Sequence, residues 1–158
     1  MRVNFTKSVC VAIVSFGFLF AAANGSSEPL PDGAAMGVLT IKVTGVRNAK
    51  GKIGVALFQG EASFPDGSKA LRKQQAEIDG QTQSAEVVLS DLPPGVYAVS
   101  VLHDENMNGK LDKNFLGIPQ EGYGFSNNPG KKMRAPNFDE AKFSLNAPEQ
   151  TIEIKLIY

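Results

Sequence analysis

Residues 92–112 read LPPGVYAVSVLHDENMNGKLD, and they join a turn, a strand and an acidic loop without a gap. The Pro-Pro-Gly sequence at 93–95 predicts the turn. From Tyr97 to Val101, large apolar residues occupy every second position, which is the period of a strand with one buried face. We expect this strand to end at His103 and the acidic loop to begin at Asp104. The rest of the fold is expected to be organised around this central strand.

Further strands are predicted from the same alternation of apolar and polar residues. It recurs in segments that begin at Val38, Ile53, Ala85, Phe143 and Ile152. Residues 48–51 form a turn between the first two segments, which predicts an antiparallel hairpin. Residues 70–78 predict a polar edge strand, with a short helix as the alternative. Asp79 and Gly80 then predict a hairpin turn into the next strand.

These segments number about seven, counted from the alternating pattern, and the turns between them are short and polar. Such a pattern, without a convincing long helix, predicts an all-β fold. We therefore predict a single antiparallel β-sandwich of the immunoglobulin-like or prealbumin-like kind. A long loop insert over 105–140 follows the central strand. Its apolar residues, among them Phe115, Leu116 and Ile118, predict that the insert folds back on itself and caps one end of the sandwich.

The first 23 residues differ in kind from the rest. Arg2 and Lys7 precede an apolar run over 9–22, and three alanines at 21–23 offer a cleavage site, so residues 1–23 predict a secretory signal peptide. The run is shorter than the roughly 20 residues that cross a bilayer. A retained N-terminal helix is the alternative. The prediction places the protein in the periplasm or outside the cell, with no membrane insertion after cleavage.

The remaining chain is predicted to form a flexible leader over 24–37 and one domain over 38–158. Cys10 is the sole cysteine and lies within the predicted signal peptide, so we expect neither a disulfide nor a thiolate metal site in the mature protein. Loss of Arg2 and Lys7 lowers the basic count from 16 to 14, against 16 acidic residues. This balance gives no electrostatic reason to expect nucleic acid as a partner.

The acidic loop predicts a calcium site. Oxygen-bearing side chains recur at every second residue before Gly109, as in the first half of an EF-hand loop. The predicted ligands are Asp104, Asn106, Asn108, the backbone carbonyl of Lys110, and Asp112. Phe115 occupies the twelfth position, where an EF-hand loop has a bidentate glutamate, so we expect weak affinity, with a Kd of about 10⁻⁴ to 10⁻³ M. The candidates for a missing ligand from outside the loop are Glu105, Glu121 and Glu140.

A metal-free turn is the alternative for the same loop. Aspartate and asparagine side chains readily accept hydrogen bonds from nearby main-chain amides, and such bonds would close the loop without an ion. The sequence leaves both interpretations open. Where calcium binds, we expect it to order the insert that follows.

His103 is the sole histidine, and on a strand it would share a face with Tyr97, Val99 and Val101. One imidazole without a thiolate does not make a zinc site. We interpret His103 as a structural residue at the end of the core. The alternative is a small hydrolase in which His103 acts with a nearby carboxylate as general base, although no nucleophile motif such as G-x-S-x-G is present.

The chain resembles a secreted bacterial family known as domain of unknown function twenty-one forty-one. The resemblance covers nearly all of the predicted mature chain. It rests on GKIGVALF at 51–58, LPPGVYAV at 92–99, HDENMNGKLD at 103–112, NFLGIP at 114–119 and EGYGFSNN at 121–128. Membership implies an exported β-sandwich similar to prealbumin-like and carboxypeptidase-regulatory modules, and it implies no catalytic residues.

These inferences lead to one function and one alternative. We expect a non-catalytic module of the periplasm or cell exterior, whose insert contacts a protein or a glycan and is ordered by weakly bound calcium. The alternative is the small hydrolase that uses His103.

Overall fold

The computed structural model describes residues 35–130 and 134–158 of the 158-residue chain. The predicted signal peptide over 1–23, Cys10, and all but the end of the predicted leader over 24–37 lie outside the described residues. Among the residues described, no helix is both long and apolar enough to cross a membrane.

The described chain is nearly all β, which confirms the predicted class. Its eight strands, in chain order, are β1 Gly37–Thr44, β2 Lys52–Phe58, β3 Arg72–Ala76, β4 Ala85–Leu92, β5 Gly95–Asp104, β6 Gly122–Phe125, β7 Phe143–Leu145 and β8 Glu149–Lys155. A 3-10 turn, Gly67–Lys69, lies between β2 and β3, and the one-turn helix α1, Phe138–Ala141, precedes β7. The predicted edge strand over 70–78 is β3, whose first four residues are exposed.

The strands form two open sheets. One has the order β4-β1-β8, and the other has the order β3-β2-β5-β6, with β7 also paired to β5. A purely antiparallel arrangement was predicted, and this is wrong for β8, which runs parallel to β1. The two strands start side by side, because the turn after β7 brings Pro148 to the beginning of β1, where its carbonyl accepts the N–H of Val38 at 2.8 Å.

The predicted hairpins are wrong for a related reason. β1 and β2 lie in different sheets, and so do β3 and β4, so the turns at 48–51 and at Asp79 cross between sheets. At the second turn only an isolated bridge joins Asp79 to Ser84. β2 instead pairs with β5 along its whole length. Alternation identifies which side chains are buried, but it does not identify which strands are neighbours.

Apolar side chains from both sheets meet in one buried cluster. Its larger members are Leu39, Ile41, Val43, Ile53, Leu57, Val87, Tyr97, Val99, Leu145 and Ile154. Burying one such side chain stabilises the fold by about 1.5 to 3 kcal/mol. The cluster therefore supplies the stability that no disulfide among the described residues could provide.

The central strand β5 lies where it was predicted, and it pairs with β2, β6 and β7. The side chain of Tyr97 is fully buried, and its hydroxyl donates to the Pro93 carbonyl at 2.7 Å. This bond ties the strand to the turn that precedes it. Asp104 is the last residue of β5, so it lies at the end of the five-stranded sheet, where the acidic loop begins.

The insert over 105–140 contains a strand, β6, that the sequence pattern did not predict. β6 pairs with β5 from Ser100 to His103. Its inward positions are Gly122 and Gly124, where an added Cβ would come within 2.5 Å of Tyr158 and 2.7 Å of Ile154. Because these positions have room only for glycine, the apolar alternation that marks the other strands is missing here.

Candidate functional site

The acidic loop closes on the carboxylate of Asp104, which is the last residue of β5 and is 2% exposed. Its Oδ1 accepts the N–H of Asn108 at 3.0 Å, and its Oδ2 accepts the N–H of Gly109 at 2.7 Å. Met107 and Gly109 adopt left-handed φ angles of 60° and 74°. The predicted sharp turn is therefore present, and Asp104 holds it closed.

The second carboxylate of the loop, Asp112, accepts side-chain amides. Asn106 donates to it at 2.6 Å and Asn108 at 3.0 Å. The side-chain oxygen of Asn108 in turn accepts the N–H of Lys110 at 2.8 Å. The five predicted ligand residues are thus brought together in one turn by hydrogen bonds among their side chains and main-chain N–H groups.

The candidates for an additional calcium ligand are engaged elsewhere. Glu121 accepts two main-chain N–H groups, Glu105 pairs with Arg47, and Glu140 pairs with Arg134. Across residues 35–130 and 134–158, no cluster of three or more His, Cys, Asp or Glu side chains is arranged to hold a metal. The loop offers two carboxylates, two amide oxygens and one carbonyl, which suit calcium in kind but fall below its usual six to eight oxygens.

Glu121 joins the two ends of the acidic loop. It is 4% exposed, and its carboxylate accepts the N–H of Glu105 at 2.9 Å and the N–H of Asp112 at 3.1 Å. Hydrogen bonds to a buried carboxylate are among the stronger ones in proteins. The sequence identified Glu121 only as a spare calcium ligand, whereas its position makes it the residue that fixes the loop on the sheet.

Arg47, from the connection between β1 and β2, also binds the residues where the acidic loop joins the sheet. Its Nε donates to Glu105 at 2.7 Å, its Nη2 donates to the Gln120 carbonyl at 2.9 Å, and its guanidinium lies 4.6 Å from the centre of the Tyr158 ring. Partial burial acts to raise the pKa of Glu105, but hydrogen bonds from Asn48 and Arg47 and the charge of Arg47 outweigh it, so this pKa is lowered. Nothing in the sequence pattern pointed to Arg47.

His103 lies on the buried face of β5, as predicted, and is 0% exposed. Its Nε2 lies 2.8 Å from the Lys50 carbonyl, which can only accept, so Nε2 carries a proton. In the neutral ring, Nδ1 then accepts from the Tyr158 hydroxyl at 2.7 Å. Burial raises the pKa of Tyr158, which keeps this hydroxyl protonated as a donor. Both ring nitrogens are thus used within the core.

Beyond Asp112 the loop ends in three exposed apolar side chains, which we call the apolar tip. Phe115 is 94% exposed, Leu116 67% and Ile118 51%. The predicted capping of the core is wrong for these residues, which face solvent. Their backbone is nevertheless held by Asn114, whose side chain accepts the N–H groups of Leu116 and Ile118 at 2.9 and 3.0 Å. Local hydrogen bonds thus order the tip without packing against a core.

The described chain is therefore a nearly all-β protein with two open sheets and an ordered loop that exposes apolar side chains. It belongs to the family described as uncharacterized protein conserved in bacteria, DUF2141, whose model matches residues 41–153. This match confirms the family that the sequence resembles. Comparison with curated proteins and comparison with solved structures each gave no match.

Proposed function

We propose that this protein is a non-catalytic binding module that docks on a protein partner through its apolar tip. One observation carries the proposal: Phe115, Leu116 and Ile118 face solvent on a loop whose backbone is hydrogen-bonded from base to tip. In this proposal the two sheets form a β-sandwich of the prealbumin-like kind. The N-terminal signal that the sequence predicts would place the module in the periplasm or outside the cell.

The energetics of the tip favour a binding role. Each large apolar side chain that moves from water into a partner's pocket contributes about 1.5 to 3 kcal/mol. Ordering a mobile loop on binding would offset part of that gain. Here the bonds from Asn114 and the clamp of Arg47 and Glu121 hold the loop before any partner arrives, so this cost is reduced.

Catalysis by His103 is the less favoured alternative. A general base must reach a substrate proton, but the ring is buried and both nitrogens have partners in the core. His103→Gln separates the two functions. A binding module that still folds should keep its partner contacts in this variant, whereas a hydrolase should lose turnover.

Site-specific photo-crosslinking tests the proposal directly. A benzophenone side chain placed at position 115, in cells that naturally make the protein, should give adducts of one discrete mass. The matched control is position 88 on β4 in the three-stranded sheet, where Val88 is 46% exposed. Substituting Leu116 and Ile118 by Ser should abolish the adduct. An equal yield from positions 115 and 88 would contradict the proposal.

Weak calcium binding is a second proposal for the acidic loop. The observation that favours it is the convergence of Asp104, Asn106, Asn108 and Asp112 in one turn, in which the N–H of Lys110 donates to Asn108. Binding would require the amides of Asn106 and Asn108 to release Asp112. Calcium at about ten times its Kd should stabilise the protein by about 1.4 kcal/mol. An unfolding midpoint that is the same in calcium and in excess chelator would exclude it.

A further inference from the structure

A groove of about 740 Å³ lies on the outer face of the five-stranded sheet, between the 3-10 turn and the acidic loop. Its floor is formed by Gly54 and Ala56 of β2 and by Ser100 and Leu102 of β5. On one side the floor is flanked by Lys73 and Gln75 of β3, and on the other by aromatic Tyr123 of β6. This volume is within the usual range for ligand sites, about 300 to 1,000 Å³.

The floor is hollow because three of these four positions, all except Leu102, carry small residues. A Cβ added at Gly54 would have the Leu102 carbonyl, at 3.9 Å, as its nearest contact, so the space above this glycine is open. Glycine within a strand destabilises it relative to alanine. A glycine there often marks a place where another molecule comes close to the backbone. At Gly54 no side chain of the described protein fills that place.

The polar side chains around the groove are available to a ligand. Gln75, Ser100 and Tyr123 make no side-chain hydrogen bond within the described residues. Lys73, Lys110 and Lys113 are exposed lining residues without an ion pair in that part of the chain.

Two acidic residues also line the groove, and both are committed to other bonds. Asp104 gives both carboxylate oxygens to the acidic loop. Asp66 accepts the N–H and the hydroxyl of Ser68 and lies 3.4 Å from Lys69. The groove lining therefore carries three lysines against two carboxylates, an excess of one positive charge.

We propose that this groove binds an acidic oligosaccharide. An aromatic ring stacks on the apolar face of a sugar, amide and hydroxyl groups bond its hydroxyls, and lysines pair with its carboxylate or sulfate groups. An extended peptide is less suited, since peptides that join a sheet pair with an unpaired edge. The groove instead lies over β2 and β5, which are paired on both sides. This site is separate from the apolar tip and does not rest on the function proposed for the tip.

Titration calorimetry with purified full-length protein tests the inference. The probes are tetragalacturonate, a heparin tetrasaccharide, neutral maltotetraose and a tetraglutamate peptide. At least one acidic sugar should bind at least tenfold more tightly than maltotetraose or the peptide, and more weakly as salt is added. Binding by neither acidic sugar, or equal binding of the neutral sugar or the peptide, would overturn the proposal.

Variants assign the binding to the groove. Gly54→Leu should fill the hollow and weaken binding of the acidic sugar at least tenfold, while Thr40→Leu, on the outer face of the other sheet, should leave it unchanged. Lys73→Gln, which removes one exposed charge without adding volume, should weaken binding several-fold even if Gly54→Leu fails to fold. Phe115→Ser should have no effect, which separates this site from the apolar tip. Unchanged binding in folded Gly54→Leu and Lys73→Gln variants would refute the assignment.

Discussion

The carboxylate of Glu121 accepts a main-chain N–H from each end of the acidic loop, from Glu105 and from Asp112. On the sheet side, Arg47 reaches both Glu105 and the Gln120 carbonyl. Hydrogen bonds from a few side chains therefore hold the ends of the loop in place, as strand pairing holds the backbone elsewhere in the fold. Substitutions at these residues should affect stability more than their position in a loop suggests.

Glu121→Gln should destabilise the protein by about 1.5 to 3 kcal/mol, because the amide presents a donor to one of the two N–H groups that the carboxylate accepts. Urea unfolding measures the difference. Glu86→Gln is the matched control, since Glu86 is exposed on β4 and its substitution should change the free energy of unfolding by at most about 0.5 kcal/mol. Equal midpoints for the two variants would contradict the role of Glu121.

The lowered pKa of Glu105 predicts an acid-sensitive contribution to stability. A carboxyl whose pKa is lower in the folded state than in the unfolded state stabilises the fold above the unfolded value, near 4.5, and loses this contribution as pH falls through the folded value. At pH 7 the free energy of unfolding of the wild type should exceed that of Glu105→Gln by about 1 kcal/mol. The difference is this small because Arg47 is half exposed and water weakens the ion pair. The gap should shrink in urea titrations below about pH 4.5. A gap that widens with acid would exclude this assignment.

At the scale of elements, the order and location of most strands followed from the sequence, but their pairing did not. The alternation around Tyr97 identifies β5 because each inward side chain is apolar. The same rule fails for β6, where Gly122 and Gly124 face inward because Tyr158 and Ile154 occupy the space of a side chain. Turns at 48–51 and at Asp79 have the composition of hairpins, yet they cross between sheets.

Gly51 lies in the turn at 48–51 and packs against the backbone where the acidic loop begins. Its φ is +66°, and an added Cβ would lie 1.9 Å from the Asp104 carbonyl oxygen. Gly51→Ala should therefore lower the free energy of unfolding by more than about 2 kcal/mol, since the left-handed conformation alone costs about 1 to 2 kcal/mol for alanine. Gly67→Ala is the control, because nothing lies within 4 Å of its Cβ position. Chemical unfolding compares them, and similar losses for both variants would count against a close approach at Gly51.

For the molecule as a whole, the sequence predicted the all-β class and the family, because both depend on local patterns that are visible in one chain. It predicted the residues of the acidic loop but not what fixes them, since Arg47 and Glu105 are distant in sequence and meet only in the fold. It also predicted that the apolar residues of the insert fold back onto the sandwich, and this is wrong for the apolar tip. Asn114 shows why: local hydrogen bonds order the tip and leave Phe115 exposed, whereas the rings of Phe125 and Phe138 contact Phe64.

The central claim is that the apolar tip is both ordered and exposed before it meets a partner. The chain contains no tryptophan, so Phe115→Trp introduces a single fluorescent reporter at the tip. In the isolated protein we expect emission at the wavelength of a water-exposed indole, with an anisotropy decay as slow as the tumbling of the domain. Emission shifted to the blue would mean that the tip is buried, and fast local depolarisation would mean that it is mobile; either result would contradict the account.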